Sequence, residues 1–334
     1  MSTLVATLTK RKTAVSTGVS IPVVVLLAAA VVFLLVGCLV SKIFAQQTVT
    51  GLADGAIFGS LALALVLIYR ATEVVNFAQG EMAMATTYIA YQLTQWGVSY
   101  WPAFFLTLAI AFVFGVVLQV VFIRPVQHKS VIAVVIVTVG LFILIDGVVT
   151  WIWGADLKFM RAPFGNNVYN LSGVAFSRLD IGVFLVCIVS MVLLWLLFQY
   201  TKLGLAMRAS ALRPASAALV GVRVEVMLAA GWGLAAVLGA VAGMMTEPKQ
   251  FVLQPILMQP VLLYAFAAAV LGGLESPFGA VVGGLALGVF LNLIGQYVGI
   301  ATPELRLPIA FLVLLLVLLV KPTGLFGRKQ VRRV

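Results

Sequence analysis

The sequence predicts an all-α integral membrane protein, a bundle of about ten helices that cross the bilayer or partly re-enter it. Three observations predict this class: 63% of the 334 residues are hydrophobic, only 9% are charged, and mean hydropathy is +1.18. A chain of this composition needs lipid around its helices. The apolar residues also occur in runs of about twenty, which is the length that spans a bilayer.

Polar clusters divide the apolar residues into runs, and each run is a predicted helix. The runs at 81–96 and 261–273 are short, and short or glycine-interrupted helices at membrane depth often line a substrate cavity, so we expect broken or re-entrant helices there. The predicted helices are 21–40, 51–69, 81–96, 102–123, 131–151, 181–200, 226–246, 261–273, 278–298 and 307–320.

The basic residues predict the orientation. Lys10, Arg11 and Lys12 precede the first run, and a basic segment follows the last, so both termini are expected in the cytoplasm. This assigns a cytoplasmic tail to 1–20, one membrane domain to 21–321 and a basic cytoplasmic tail to 322–334. Within that domain the longest cytoplasmic loop is 201–225, and the long outer loop is 154–180.

Several classes of function are disfavoured by composition. The net charge of +11 is not clustered on one predicted face, which argues against nucleic acid as a partner. The single histidine, His128, has no Cys or second His near it, so no metal site and no Ser-His-Asp triad is expected. No Gly-rich loop ending in Gly-Lys-Ser/Thr is present, and we expect no enzyme activity and no bound cofactor in this chain.

The two cysteines, Cys38 and Cys187, lie inside apolar runs, where Cys behaves as a small hydrophobe. The residues at 35–38 match a lipoprotein cleavage pattern. A lipoprotein would continue as a polar domain, whereas this chain continues as further apolar runs, so an ordinary first span is favoured.

Glycines recur at helical spacing on three of the predicted spans. Small residues every fourth position let helix backbones approach closely in lipid, and this reading is favoured over direct ligand contact. The predicted packing glycines are Gly51, Gly55, Gly59, Gly239, Gly243, Gly279, Gly283 and Gly284.

The polar run from Asn76 to Glu81 is a candidate part of a translocation pathway, together with Gln79 and Gly80. Polar side chains at the edge of a span are costly unless they find partners or water. A helix that begins near Gly80 would direct free N–H groups at a carboxylate, whereas Glu81 would favour a cation. Helix capping, a cytoplasmic gate and substrate contact remain open for this run.

Two further acids lie within predicted spans. Asp54 is near the outer end of its helix, where water reaches it, and it joins the pathway candidates. Asp146 is deeper and is expected to hydrogen-bond a neighbouring span. If Asp54, Glu81 or Asp146 relayed protons, the chain would instead be a proton-coupled secondary transporter.

A short helix is predicted at 214–220 in the loop that contains LRPASAALVGV. Pro214 suits the first position of a helix and Gly221 the position just past its end. With Arg208 and Arg213 beside it, this slim rod suits a groove on a cytoplasmic partner, and a plain surface linker is the alternative.

This loop resembles the coupling loop of ABC importer permeases, whose signature is Glu-Ala-Ala, three residues, then Gly. Ala215, Ser216, Ala217 and Gly221 occupy the matching positions, and the Glu is absent. YRATEVVNFAQGEMAM resembles the Asn-Phe-Ala-His/Gln-Gly-Glu segment of branched-chain amino-acid permeases, and VLGGLESPFGAVVGG is similar to a Gly-Gly-x-Gly-Ser-x-x-Gly-Ala stretch near their end. The chain is therefore similar to branched-chain amino-acid ABC transporter permeases of the type that pairs with a second, related permease.

The resemblance implies a transport subunit in the bacterial inner membrane that carries branched-chain or other small apolar amino acids. It also implies four kinds of partner: a second permease, related or identical; two ATP-binding subunits that hold ATP and magnesium; a periplasmic solute-binding protein; and membrane lipid. Arg208, Arg213, Pro214 and the three residues after it would transmit the ATPase force. Urea or short amides as substrates, and a membrane scaffold that transports nothing, remain alternatives.

Overall fold

A computed structural model describes residues 21–127, 129–160, 162–165, 167–171, 174–299 and 302–327. The predicted tail 1–20, residues 328–334 of the second tail, His128 and Arg161 lie outside the described residues.

Within the described residues the chain is a bundle of α-helices, and every predicted apolar run lies on one of them. The helices are α1 Ile21–Val40, α2 Lys42–Thr72, α3 Gln79–Gln95, α4 Tyr100–Leu118, α5 Val131–Trp153, α6 Arg178–Tyr200, α7 Lys202–Leu212, α8 Pro214–Leu219, α9 Val224–Gln250, α10 Met258–Gly272, α11 Pro277–Tyr297 and α12 Arg306–Val320. A π-helical turn at Gln119–Ile123 continues α4, and the short 3₁₀ helix Pro255–Leu257 leads into α10.

In this part of the chain, 7 helical segments are long and apolar enough to cross a membrane. They contain α2, α4, α5, α6, α9, α10 and α11; the last part of α1 and all of α12 are shorter apolar helices. The 17-residue helix α3 is not among the seven. The predicted class of helical membrane protein is confirmed, whereas the number of crossings and the side of the termini stay predictions.

Local side-chain chemistry sets several helix starts. The Ser276 hydroxyl accepts a hydrogen bond from the backbone N–H of Gly279 at 3.0 Å, and Pro277 occupies the first turn of α11. Ser130 caps α5 in the same way through the N–H of Ala133. These caps satisfy N–H groups that a helix leaves free at its first turn.

The most extensive helix contact joins α2 and α11 antiparallel, and glycines make it possible. A Cβ placed on Gly288 would lie 2.3 Å from the backbone nitrogen of Gly55, and one on Gly284 would lie 2.4 Å from the Cα of Gly59. Gly51 contacts the same helix one turn further on. Because no side chain fits between these backbones, the two helices pack more closely than larger residues would allow.

The other predicted packing glycines lie at two further contacts. A Cβ on Gly239 of α9 would lie 2.9 Å from Nε2 of Gln79, and Gly243 abuts α3 one turn further on. A Cβ on Gly279 of α11 would lie 2.3 Å from the carbonyl oxygen of Gly272 in α10, and a Cβ on Gly283 would lie 2.4 Å from that of Ala268. Close backbone approach therefore occurs at both contacts.

Helix α3 lies at the centre of the bundle, and its residues 79–88 are all buried. It packs against α2, α4, α5, α9 and α10. Its first residue contacts Ala235, which is eleven residues into α9, or roughly 16 Å along that helix at 1.5 Å per residue. The helix predicted at 81–96 therefore begins inside the bundle, after a non-helical break at 73–78.

The outer loop predicted at 154–180 holds structure that hydropathy did not predict. Strands β1 Val168–Leu171 and β2 Val174–Ser177 pair antiparallel as a hairpin, and α6 begins at Arg178, earlier than the predicted 181. An all-helical description is therefore incomplete for this loop. The hairpin packs on α2 through β2.

Residues after α12 fold back onto the bundle. The backbone N–H groups of Leu325 and Phe326 donate to the carbonyl oxygens of Leu271 and Gly272 at 2.8 and 3.0 Å, and the Phe326 ring is buried against Phe278. The first part of the predicted tail 322–334 is therefore a packed segment that caps the end of α10.

Candidate translocation pathway and coupling loop

The break before α3 is held by side-chain amides. Asn76 accepts a hydrogen bond from the N–H of Ala78 at 3.0 Å and donates from Nδ2 to Oε1 of Gln79 at 3.1 Å. Gln79 in turn donates from Nε2 to the carbonyl oxygen of Ala235 at 2.9 Å. Both amides are fully buried and bonded within the chain, so they anchor the start of α3 to α9.

Gly80 permits a close approach between α3 and α10. A Cβ at this position would lie 3.1 Å from the Leu262 side chain and 3.4 Å from the carbonyl oxygen of Met258. Two helices thus begin side by side inside the bundle, because Met258 is the first residue of α10.

Glu81 lies at this junction and is fully buried. Its Oε1 accepts a hydrogen bond from Nε2 of Gln259 in α10 at 3.3 Å, and its Oε2 has no hydrogen-bond partner. No ion pair within the described residues involves Glu81. A buried carboxylate without a cation is expensive in an apolar surrounding, so Glu81 needs a partner that the described residues do not supply.

The same face of α3 carries a second unpartnered polar atom. The Tyr88 hydroxyl is fully buried and without a hydrogen-bond partner, while its ring packs on Trp153 of α5 at a centroid distance of 5.4 Å. Trp153 also donates from Nε1 to Oε1 of Gln92 at 2.9 Å. Asp146 of α5 lies within electrostatic range of both Glu81 and Tyr88. The hydrogen bond expected from Asp146 to a neighbouring span is absent among the described residues.

A second charged cluster joins three helices at the end of the bundle that is predicted to face outward. Lys249 of α9 places its Nζ 2.5 Å from Oδ1 of Asp54 in α2 and 2.8 Å from Oδ1 of Asp180 in α6. Thr50 donates to Asp180 at 3.1 Å, and Asn292 of α11 donates to Asp54 at 2.8 Å. Asp54 is therefore engaged in a bonded network. The predicted helix at 226–246 ends before Lys249, and the contact with Asp54 has no local sequence signal.

The outer loop is fastened to the end of α9 at two points. Lys158 and Leu253 exchange backbone hydrogen bonds at 2.8 and 2.9 Å. The N–H of Met160 donates to Oε1 of Glu247 at 3.0 Å, and the other oxygen of this buried carboxylate has no partner. Neither contact has a local sequence signal, since the partners are far apart in the chain.

The helix predicted at 214–220 is present as α8, with Pro214 in its first turn. Val220 is its C-cap rather than its last residue, and Gly221 follows with φ +85°, a conformation that favours glycine. Ala217 is buried, whereas Leu219 and Val220 are 89% and 79% exposed. The short helix therefore rests on Ala217 and displays two apolar side chains.

The other coupling candidates lie on α8 or before it in the loop 201–225. Arg213, Pro214, Ala215 and Ser216 are exposed, and Arg208 donates from Nη1 to Oε1 of Gln199 at 3.2 Å.

An ion pair lies close to this loop. Arg124 pairs with Glu225 at the start of α9, and both residues are about half exposed. The loop 201–225, which contains Glu225, is predicted on the cytoplasmic side, and this pair brings Arg124 next to it.

Comparison with known proteins defines the class. A family model described as "Branched-chain amino acid transport system / permease component" matches residues 47–318, which include the α3 junction and the coupling loop. The chain therefore belongs to this family of membrane permeases. Its members are transport subunits and not enzymes.

Three relatives illustrate the similarity. The high-affinity branched-chain amino acid transport system permease protein BraD of Pseudomonas aeruginosa is 31% identical over 306 residues, covering 87% of this chain and 98% of BraD. The LivH proteins of Escherichia coli K12 and Salmonella typhimurium LT2 are 29% and 28% identical, with the same coverage. A solved structure, PsaBC from Streptococcus pneumoniae in complex with Fab, aligns with a TM-score of 0.44 at 15% identity, over 88% of this chain and 97% of that chain. That likeness is too distant to carry an argument.

Proposed function

We propose that this chain is the permease subunit of an ATP-driven importer for branched-chain or other small apolar amino acids, in the bacterial inner membrane. The observation that carries the proposal is the family match across 47–318, with relatives named for branched-chain amino acid transport. The buried polar junction at the start of α3 supports it, because unpaired polar groups inside a membrane bundle mark solute pathways.

Membership of this permease family implies that the chain works with other subunits, ATPases among them. The finer proposal is a second permease, related or identical, two ATP-binding subunits that hold ATP and magnesium, and a periplasmic solute-binding protein. This chain then binds no cofactor of its own. The binding protein delivers the solute outside, and ATP hydrolysis inside alternates the access of the pathway.

The ATPase contact is proposed at α8 and its neighbours, from Arg208 and Arg213 through Pro214, Ala215, Ser216 and Ala217 to Gly221. Leu219 and Val220 expose apolar side chains on a rigid short helix, the geometry that a groove on a partner protein receives. Because the Glu of the coupling-loop signature is absent from this chain, Leu219 and Val220 are proposed to make the main contact with the ATPase.

Helix α9 links the coupling loop to both polar clusters. It begins at Val224, three residues after Gly221, and carries Ala235, which anchors Gln79, and Lys249, which binds Asp54. Because α9 continues as a helix through 27 residues, with Pro248 inside its last turn, we propose that a displacement of α8 is passed to both positions. ATP-driven motion can therefore reach the α3 junction and the outer cluster together.

The test is uptake of labelled leucine by proteoliposomes that contain this chain with its partner permease, ATPases and binding protein. We expect uptake that requires ATP and the binding protein. Urea or short amides, tested in the same vesicles, report on the alternative substrates. Uptake by this chain alone under a proton gradient, independent of ATP, would overturn the proposal in favour of a proton-coupled transporter.

A further inference from the structure

We propose that Glu81, Tyr88 and Asp146 form the binding site for the ammonium group of the transported amino acid. This inference rests on the proposed function and assigns the part of the substrate that these residues recognise. The site lies inside the bundle, between α3 and α5.

Packing brings the three residues to one region of the α3–α5 contact, where the Tyr88 ring lies on Trp153, seven positions after Asp146 on α5. Glu81 and Tyr88 are seven positions apart on α3, which puts them on the same face of the helix. Asp146 of α5 lies within electrostatic range of both. Ala85 is the residue between them on that face, and its side chain is the smallest of the three.

Two buried atoms without partners lie together at this place on α3. Glu81 and Tyr88 are fully buried, and Oε2 of Glu81 and the Tyr88 hydroxyl have no hydrogen-bond partner. Buried polar atoms are nearly always paired. Two orphan oxygen atoms on one helix face, beside a third oxygen-bearing group, indicate a ligand that supplies hydrogen-bond donors.

The charges of the surrounding residues determine whether that ligand is a cation or an anion. Two acidic residues lie in this region, and within the described ranges neither Glu81 nor Asp146 forms an ion pair. The acids of the outer cluster differ, because Asp54 and Asp180 already share Lys249. A cation at the α3 site would offset the cost of the buried carboxylate, whereas an anion would add to it.

The number of donors selects an ammonium group. A primary ammonium carries three N–H donors and no acceptor, and the site offers three groups that accept through oxygen. Gln259 holds the other oxygen of Glu81 and so orients the carboxylate. The apolar side chain of the amino acid would lie among neighbours such as Leu262 and Ile145, which are buried on α10 and α5.

The experiment measures binding of labelled leucine to the purified permease and ATPase complex in nanodiscs, without the binding protein. Two competitors each keep one polar group of leucine: 3-methylbutylamine keeps the ammonium group, and 4-methylpentanoate keeps the carboxylate. We expect competition by the amine and none by the acid. Glu81→Gln should weaken leucine binding about tenfold to a hundredfold, and Asp146→Asn by less, because a charged partner is lost from a desolvated pair.

Controls separate recognition from folding. Glu304→Gln removes an exposed acid and should leave leucine binding unchanged. Glu81→Asp keeps the charge and should recover part of the affinity that Glu81→Gln loses. The basal ATPase rate of each complex checks that the variants are assembled.

The outcomes distinguish the two proposals. If the wild-type complex neither binds nor transports leucine, the proposed function fails. If it transports leucine but Glu81→Gln and Asp146→Asn bind it normally, or if 4-methylpentanoate competes and the amine does not, the ammonium site is wrong and the proposed function stands.

Discussion

The ammonium nitrogen of Lys249 lies 2.5 Å from a carboxylate oxygen of Asp54, although 195 positions separate the two residues in the sequence. The same nitrogen also meets Asp180, so one cation joins α2, α6 and α9. Removing one member of a buried charge group leaves the others without compensation. This relationship makes the end of the bundle that holds these residues sensitive to single charge changes.

Lys249→Met is expected to lower the free energy of unfolding by roughly 2–4 kcal/mol, at the lower end for buried pairs because Asp54 is partly exposed. Adding Asp54→Asn and Asp180→Asn to the same chain should recover most of that loss. Thermal unfolding in detergent measures both. Glu225→Gln, which breaks the exposed pair with Arg124, is the control and should cost less than about 1 kcal/mol.

Gly284→Ala is expected to destabilise the protein by about 1–3 kcal/mol, because the new methyl group would lie 2.4 Å from the Cα of Gly59. The matched control is Gly140→Ala on α5, where nothing lies within 4 Å. Alanine has the higher helix propensity, so that control should be neutral or slightly stabilising. Equal melting temperatures for the two variants would contradict the close α2–α11 contact.

Gln79→Leu should cost about 1–3 kcal/mol, because it leaves the buried Ala235 carbonyl and the Asn76 amide without their partner. Leucine uptake should fall as well, since the start of α3 loses its anchor to α9. Gln47→Ala removes an exposed hydrogen bond to Gln296 and serves as the control. Stability and uptake that stay at the wild-type level in Gln79→Leu would show that the amide network does not hold the junction.

Gly221→Val is expected to reduce ATP-dependent uptake at least several-fold while leucine binding is retained. A β-branched residue at φ +85° forces the end of α8 to change, at a cost of roughly 1–2 kcal/mol. Gly97→Val is closely matched, with φ +87° and, like Gly221, no atom within 4 Å, but it lies away from the loop. An equal loss of uptake in both variants would indicate general strain rather than coupling.

Leu219→Ser should uncouple the transporter, because it removes an apolar contact proposed for the ATPase groove. The ATPase rate should lose its stimulation by the binding protein, while the melting temperature changes little for a side chain that is 89% exposed. Leu157→Ser removes an exposed leucine from the outer loop and should leave coupling intact. Full stimulation in Leu219→Ser would refute the proposed contact at α8.

The helices and the coupling loop were predicted with most ends within a few residues. Helix α2 is the exception, since it was predicted from residue 51 and begins at Lys42. Pro214 and Gly221 are local signals, and they bracket α8 to within one residue. The hairpin of β1 and β2 was not predicted, because two four-residue strands in a polar loop carry no clear periodicity. The start of α3 was placed near Gly80 and lies at Gln79.

For the candidate site, the sequence identified Glu81 and Asp146 as acids inside spans but gave them separate roles. Tyr88 received no role, since a tyrosine in an apolar run resembles any core aromatic. Only the packing of α3 on α5 shows that the three residues share one region. Lys249 was likewise predicted in a loop after the helix at 226–246, whereas α9 extends through Gln250.

The sequence by itself determined the membrane class, the helical runs and the short loop helix. Hydropathy describes how a segment partitions into lipid, and proline and glycine act on the backbone of their own segment. Tertiary structure alone decided which side chains meet: Lys249 with Asp54 and Asp180, and Gln259 with Glu81. Such contacts depend on how each helix is rotated and how closely its glycines let it approach the next. That information belongs to pairs of helices, and no single segment contains it.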